Sequence, residues 1–310
     1  MAHDASRQAP VQGRVTDRPL GRALRALPWN APATVLIFGV VLFPAGYLIF
    51  NSTQKFGLSG LDLGSAGFAN YAALFQRPEI FPVLLNTFVW VISVVVITVV
   101  LSLALAQFLN QKFPGRRIVR IAVLVPWAAS TVMTSLAFVY GLNPFYGVIN
   151  KFLVDVHILR VPLGFTEEPL PAFLTAMAVG VFVSLSFTTY VILAGLAAVP
   201  NEVLEAAAVD GATSTRTYFS IVLPLLRPAL VLATLINIIN VFNNFPVLKL
   251  ITGALPGYSD DTTTTLMFKI LQSEDNLGVA NALSVVNFVI VLIVIAVFLR
   301  VAQPLKEVDS

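Results

Sequence analysis

Four asparagines, Asn237, Asn240, Asn243 and Asn244, interrupt an apolar run beside Phe242, Phe245 and Pro246. At about 100° per residue a helix would gather them within roughly 120° of arc. A carboxamide offers a donor and an acceptor together, which suits the hydroxyls of a neutral polyol. Two further groups of neutral polar residues sit in apolar runs: Ser184, Ser186, Thr188, Thr189 and Tyr190, and then Asn281, Ser284 and Asn287. Ser, Thr and Asn also bond across helices in membranes, so any one of them could serve only as an interhelical contact. Four amides on one face exceed what helix pairing requires. The candidate solute-pathway residues are therefore Asn237, Asn240, Asn243, Asn244, Ser184, Thr188, Asn281 and Asn287.

Reactive chemistry is hard to assemble from this chain. It has no cysteine, and its two histidines, His3 and His157, lie outside the apolar runs, so neither catalytic nor metal-ligating residues are expected. No Gly-x-x-x-x-Gly-Lys-Ser/Thr loop and no Gly-x-Ser-x-Gly elbow occur. The acidic pairs Glu167-Glu168 and Asp260-Asp261 read as solvated loop charges, with contact to a partner as the other reading.

A second patterned stretch has a soluble look. Glu205-Ala206-Ala207-Ala208-Val209-Asp210 is a good helix former, Gly211 can take a left-handed conformation past a helix end, and Thr213 or Ser214 can cap a second helix that Pro224 stops. The expectation is a helix-turn-helix outside the bilayer, with an alanine-rich face able to lie close to another surface.

Both stretches must be positioned by membrane-spanning elements. Of 310 residues, 57% are hydrophobic and only 11% charged, against roughly 25% charged in soluble domains. A hydrocarbon core about 30 Å thick takes roughly 20 apolar residues per helix. Spans are read at about 32–51, 83–109, 119–141, 171–199, 228–250 and 280–301, between an arm at 1–31 and a tail at 303–310. No ionisable residue falls in the middle of any span. A charge at mid-membrane costs roughly 2.5–3.5 kcal/mol on insertion scales and is kept for ion or proton coupling, so a proton-driven pump is disfavoured.

The net charge of +3 could suggest nucleic acid for a soluble protein, but here the basic residues report orientation, and lipid is the expected surrounding. Arg7, Arg14, Arg18, Arg22, Arg25, Lys112, Arg116, Arg117, Arg120, Arg216, Arg227, Arg300 and Lys306 fall on one side. Lys55, Arg77, Lys151, Arg160, Lys249 and Lys269 fall on the other. Both termini, the 110–118 loop and the Glu205–Pro224 segment are thus expected in the cytoplasm. Three longer connections, about 52–82, 142–170 and 251–279, are expected outside.

The second stretch carries a family resemblance. Glu205-Ala206-Ala207, three residues, Gly211, nine residues, then Ile221-x-Leu223-Pro224 resembles the EAA loop of permease subunits of bacterial ATP-binding-cassette importers. Leu193-Ala194-Gly195-Leu196, Val199-Pro200, Asn86-Thr87, Arg120, Pro126, Gly147 and Asn150 are similar to the carbohydrate branch, the maltose F and glycerol-phosphate A type permeases. Phe182, Val183 and Ser186 stand where that branch carries Trp-Lys and a proline, and Gly253-Ala254-Leu255-Pro256 replaces an external Gly-Gly-Pro. Both departures lie near the family's translocation path and bear on which solute is carried.

The resemblance implies an all-α, six-span permease domain over 32–302, with the EAA loop at 200–226 as a cytoplasmic coupling element. It implies an importer of a sugar or polyol, or, on the same architecture, of a charged solute such as a glycerophosphodiester or an amino acid. A membrane-embedded enzyme is the reading from another class, and no reactive constellation supports it. The implied partners are a second permease subunit in a heterodimer, two ATPase subunits that bind ATP and Mg, and an extracytoplasmic substrate-binding lipoprotein; this chain itself would bind no cofactor. Glu205, Ala206, Ala207, Asp210, Gly211, Ile221, Leu223 and Pro224 would form the ATPase-docking loop, with Gly211 as the turn between its helices.

Overall fold

The computed structural model describes residues 30–57, 59–253 and 257–302. The arm through residue 29, the tail from 303, and Ala254-Leu255-Pro256 lie outside the described residues. The chain divides into two units, Met1–Phe50 and Asn51–Ser310. In the first, α1 (Asn30–Ser52) begins. The second holds a two-stranded ribbon, β1 (Gln54–Phe56) and β2 (Asp62–Ser65), and the helices α2 (Ala69–Phe75), α3 (Ile80–Asn110), α4 (Arg116–Ala128), α5 (Thr131–Gly141), α6 (Val148–Asp155), α7 (Pro169–Ala197) and α8 (Asn201–Val209). It continues through α9 (Ser214–Leu225), α10 (Arg227–Phe242), α11 (Phe245–Thr252), α12 (Thr263–Ser273) and α13 (Leu277–Ala302).

The antiparallel ribbon, with Gln54 opposite Ser65, is a small departure from an all-helical reading. Among the described residues, four helices, α1, α3, α7 and α13, are long and apolar enough to cross a membrane singly. Two bent pairs bring the total to six, α4 with α5 at 97° and α9 with α10 at 64°. The third and fifth spans are therefore not the straight helices their hydropathy suggests. Proline is the local reason. Pro126 lies in the last turn of α4, and Pro228 and Pro246 lie in the first turns of α10 and α11, where a missing N–H costs least. Inside α1 and α9 the chain tolerates Pro44 and Pro224 another way: the turn before each widens, and the residue before each proline donates five back, Phe43 to Phe38 and Leu223 to Tyr218. A wider turn gives the proline ring room against the carbonyl it would otherwise strike.

The core of the second unit forms where α3, α7, α10 and α11 meet, around Trp90, Val94, Phe173, Ala176, Ile238, Val241 and Leu248. Close approach depends on glycine at two points. A Cβ on Gly180 would lie 2.9 Å from the Trp90 ring, and one on Gly195 would lie 2.5 Å from the Cβ of Ala229. Trp90 fills the space Gly180 leaves, and its indole N–H donates to the Val241 carbonyl at 2.9 Å. Asn86 and Thr87, near the start of α3, tie the loop before α12. The Asn86 amide donates to the Ser259 and Asp261 carbonyls at 2.9 and 3.1 Å, and Thr87 Oγ1 accepts the Thr263 N–H at 2.9 Å. Asn150 similarly staples the segment around α6, donating to the Leu142 and Leu163 carbonyls at 2.8 and 2.7 Å.

Trp90→Phe is expected to lower the thermal midpoint of the purified protein by an amount corresponding to about 1–3 kcal/mol, because a buried carbonyl loses a donor and the core a ring edge. Differential scanning calorimetry checks this; an unchanged midpoint would mean the indole bond is immaterial.

Candidate functional site

Pro126 and Pro246 break two spans beside the same space. A cavity of about 520 Å³ opens between the α4–α5 junction, α7 and the α10–α11 junction. Asn237, Asn240, Asn243 and Asn244 all line it, together with Ser184 and Thr188 of α7. The continuous asparagine arc expected from periodicity is not what assembles them. α10 ends at Phe242, Asn243 caps it, and Asn244 leaves helical geometry at φ −80°, ψ 56° before α11 begins. Pro246 can give no N–H to Phe242, so α10 ends there and a new helix starts at Phe245 with the proline in its first turn; the break lies ahead of the proline, not past it. The break turns Asn243 and Asn244 around the cavity that Asn237 and Asn240 reach from the helix.

Asn237 is buried, at 2% exposure, and both ends of its amide lack a partner among the described residues. An unpaired buried amide costs roughly 1–3 kcal/mol unless something in the cavity bonds it. Asn243 spends its amide N–H on the Ile239 carbonyl at 2.9 Å, and Thr188 donates to the Ser184 carbonyl at 2.9 Å. Trp127 and Phe187 add aromatic faces, and Thr131 a hydroxyl. Sequence periodicity missed these three; the signal for them was Pro126, which marks the break that turns Trp127 inward. No lining residue is ionisable. Flat apolar faces with convergent uncharged donors and acceptors suit a neutral polyhydroxylated ring.

Asn281 and Asn287 are not brought to this cavity, which corrects the expectation for the sixth span. α13 packs mainly on α12 and α2, with few contacts to α10, and Asn287 is buried there with its Oδ1 unpaired among the described residues. Ser186 and Thr189 sit on another face of α7, buried with unpaired hydroxyls. Tyr190 is a structural tie, donating to the Arg120 carbonyl at 2.5 Å.

About 18 Å further along α7, at 1.5 Å per residue from Ser184 to Leu196, the helix meets the Glu205 segment. α8 closes with Ala212 N–H donating to the Ala207 carbonyl at 3.0 Å and Gly211 N–H to the Ala208 carbonyl at 3.1 Å. This nested pair defines a Schellman turn. It needs the positive φ of +72° that Gly211 supplies. Thr213, not Ser214, caps α9, accepting the Arg216 N–H at 3.4 Å. Pro224 does not stop α9, which runs to Leu225 and then bends into α10. Ala207 is buried, Ile221 and Leu223 are half-buried, and Glu205, Ala206, Asp210, Gly211 and Pro224 are exposed. Leu204, Tyr218 and Val222 anchor the hairpin against Leu109, Ile192 and Leu196. Outward it presents Glu202, Glu205, Ala206 and Val209, spaced as one helix face, with Val209 88% exposed.

Across the molecule, Asp260 and Asp261 are not the solvated loop charges their sequence suggests: both are buried. Asp261 pairs with Lys269 at 2.7 Å. Asp260 has no partner for either oxygen among the described residues, and burial pushes its carboxyl above the usual carboxylate range, with Asp261 adding to the shift. Nearby, Arg77 pairs with both Glu79 and Glu274, and the Arg77 hydrogen bond holds the Glu274 carboxyl below its usual range.

Discontinuous apolar helices around an uncharged polar cavity define a membrane transport permease. The chain belongs to the family of binding-protein-dependent transport system inner membrane components, which it matches over residues 19–305. It is 33% identical over 290 residues to the sulfoquinovosyl glycerol transport system permease protein SmoG of Agrobacterium fabrum, across 92% of each chain. It is also 33% identical over 242 residues to the trehalose/maltose transport system permease protein MalF of Thermococcus litoralis, across 76% of this chain and 79% of that one. The solved structure of a bacterial alginate ABC transporter, in complex with an alginate pentasaccharide-bound periplasmic protein, matches at a TM-score of 0.79 with 19% identity, over 95% of this chain and 100% of that one. The fold is that of the permeases of type I ABC importers.

Asp260→Asn is expected to raise the thermal midpoint by a few degrees at neutral pH. A carboxyl whose folded pKa is raised penalises the folded state once the pH exceeds the unfolded value of about 3.9, and the penalty disappears below it, so the gain should vanish on acidification. Unfolding followed against pH checks this; a gain constant with pH would mean the carboxylate's charge is not the cause.

Proposed function

We propose that this chain forms half of the solute pathway of an ATP-driven importer for a neutral carbohydrate or polyol. The observation that carries the reading is the uncharged cavity lined by four carboxamides, among which Asn237 is buried with both ends unbonded. The permease relatives named for a trehalose/maltose system and a sulfoquinovosyl glycerol system support the solute class. A charged solute would need a compensating charge from outside this lining, supplied by the second permease.

In this reading Asn237, Asn240 and Asn244 exchange hydroxyl hydrogen bonds with the solute while Trp127 and Phe187 cover its apolar faces. The outer loops receive solute from an extracytoplasmic binding protein. The second permease subunit, in a heterodimer, closes the open side of the cavity. Two ATPase subunits bind ATP and Mg and grip the exposed face of α8, with Glu205 a polar contact at its rim and Val209 seated in the cleft. Ile221, Leu223 and Pro224 support the hairpin from α9. Because α8 is locked by the Schellman turn and anchored through Leu204 and Val222, movement of its docked face is passed to α7 and α9 as a rigid rotation. The excess of lysine and arginine puts this hairpin and both termini in the cytoplasm, and this chain hydrolyses no ATP.

Asn240→Leu and Asn244→Leu keep the side-chain volume close and remove the bonding groups, so uptake of the sugar the complex carries should fall about tenfold or more while the ATPase still co-purifies. Uptake retained with a reduced yield of complex would make the amides interhelical contacts. Gly211→Pro cannot hold a positive φ and should abolish transport in a complex that still assembles; transport at the wild-type rate would remove the hairpin from the coupling path.

A further inference from the structure

The corner between α3 and α4 carries Lys112, Arg116, Arg117 and Arg120 within nine residues. Among the described residues none of the four has a carboxylate within salt-bridge distance; the ion pairs present belong to Arg77, Lys151 and Lys269. Arg120 is committed to the fold, donating to the Leu109 carbonyl at 3.2 Å near the end of α3. That bond ties α4 back against α3 and leaves Lys112, Arg116 and Arg117 as the uncommitted cations. Lys112 and Arg117 are exposed and Arg116 half-buried, with its Nε shielded and unbonded.

The helix that starts at this corner says what lies beside it. Ile118, Ile121 and Val125 are 74%, 59% and 59% exposed, and at about 100° per residue they fall within roughly 60° of one another. Arg117 lies about 40° round the helix from Ile121, on the same side and nearer the helix start. An apolar stripe running into a cationic first turn, with no carboxylate paired to it among the described residues, is the arrangement of a helix passing from hydrocarbon into headgroups. There an arginine lays its methylenes along acyl chains and its guanidinium among phosphates.

We infer that Lys112, Arg116 and Arg117 form a binding site for the phosphate of an anionic phospholipid, seated against the α3–α4 corner with its acyl chains along Ile118, Ile121 and Val125. The inference rests on the membrane placement of α4 and not on the identity of the solute. An acidic surface of a partner protein is the competing occupant. The apolar stripe beside the cations favours lipid, since it would be left bare by a soluble partner.

The test is native mass spectrometry of the complete complex, released from detergent after incubation with phosphatidylglycerol or phosphatidylcholine. The expected result is selective retention of phosphatidylglycerol by the wild type. At about 1 kcal/mol per cation near an anionic surface, retention should weaken about fivefold in Arg117→Gln and about a hundredfold in the triple Lys112→Gln, Arg116→Gln, Arg117→Gln variant. Arg117→Lys should keep most of it. Equal retention of the two lipids, or unchanged phosphatidylglycerol retention in Arg117→Gln, would overturn the site. So would a triple variant that sheds its ATPase subunits while keeping its lipid, which would assign the cations to a protein partner. Should the triple variant fail to assemble, Arg117→Gln decides the matter alone, because that side chain is exposed and is in no ion pair among the described residues.

Discussion

A helix may break inside an apolar slab only where the backbone groups it frees are satisfied by the protein, since hydrocarbon offers nothing in return. The break at Asn243–Asn244 meets that constraint through one residue more than any other. The Val241 carbonyl near the end of α10 accepts the Trp90 indole N–H at 2.9 Å and also the Asn244 N–H at 3.1 Å. Trp90 reaches it because Gly180 leaves room for the ring on α7. One aromatic side chain therefore joins α3, α7 and α10 and allows the break that shapes the cavity. Pro246 ends α10 there, and the Trp90 bond helps satisfy a carbonyl that the break leaves without its helical partner.

Several polar groups inside the apolar region are bonded locally, whereas Thr98, Ser186, Thr189 and Asn287 are buried with a side-chain atom unpaired among the described residues. Thr87, Ser135, Thr188 and Thr252 return their hydroxyls to carbonyls four residues back. Asn237 does not, and its amide is buried at the cavity wall with both ends unbonded among the described residues. The charged groups are held at the ends of the structure. Arg77 with Glu79 and Glu274, and Lys269 with the buried Asp261, brace one end, and the Arg77–Glu274 pair is bidentate. The cations at the α3–α4 corner lack such partners and look outward.

The two ends of α7 connect the two halves of the transport problem. Its middle supplies Ser184 and Thr188 to the cavity, and its final turns pack Leu193 and Leu196 against the core that anchors the hairpin. Contact of Gly195 with Ala229 leaves no slack between α7 and α10. In the proposed mechanism, a displacement at the hairpin reaches the asparagines through these packed contacts.

Much was legible in the amino-acid sequence because the governing terms are local. Apolar run lengths determine the spans, Gly211 after an alanine-rich stretch determines a left-handed turn, and Thr213 or Ser214 offers the cap that follows, the structure choosing Thr213. The candidate amides of the fifth span were also legible, since neutral polar residues at mid-membrane are costly enough to be informative. Whether those amides converge was a matter for the tertiary structure, because a 3.6-residue period presumes a continuous helix and Pro246 ends one. Asn281 and Asn287 fell elsewhere for the same kind of reason: which face of α13 looks inward is decided by α12 and α2, distant in sequence from the fifth span. Asp260 and Asp261 looked like loop charges because burial cannot be read from residue type. They are buried because Asn86 and Thr87, more than 170 residues away, draw that loop down onto α3.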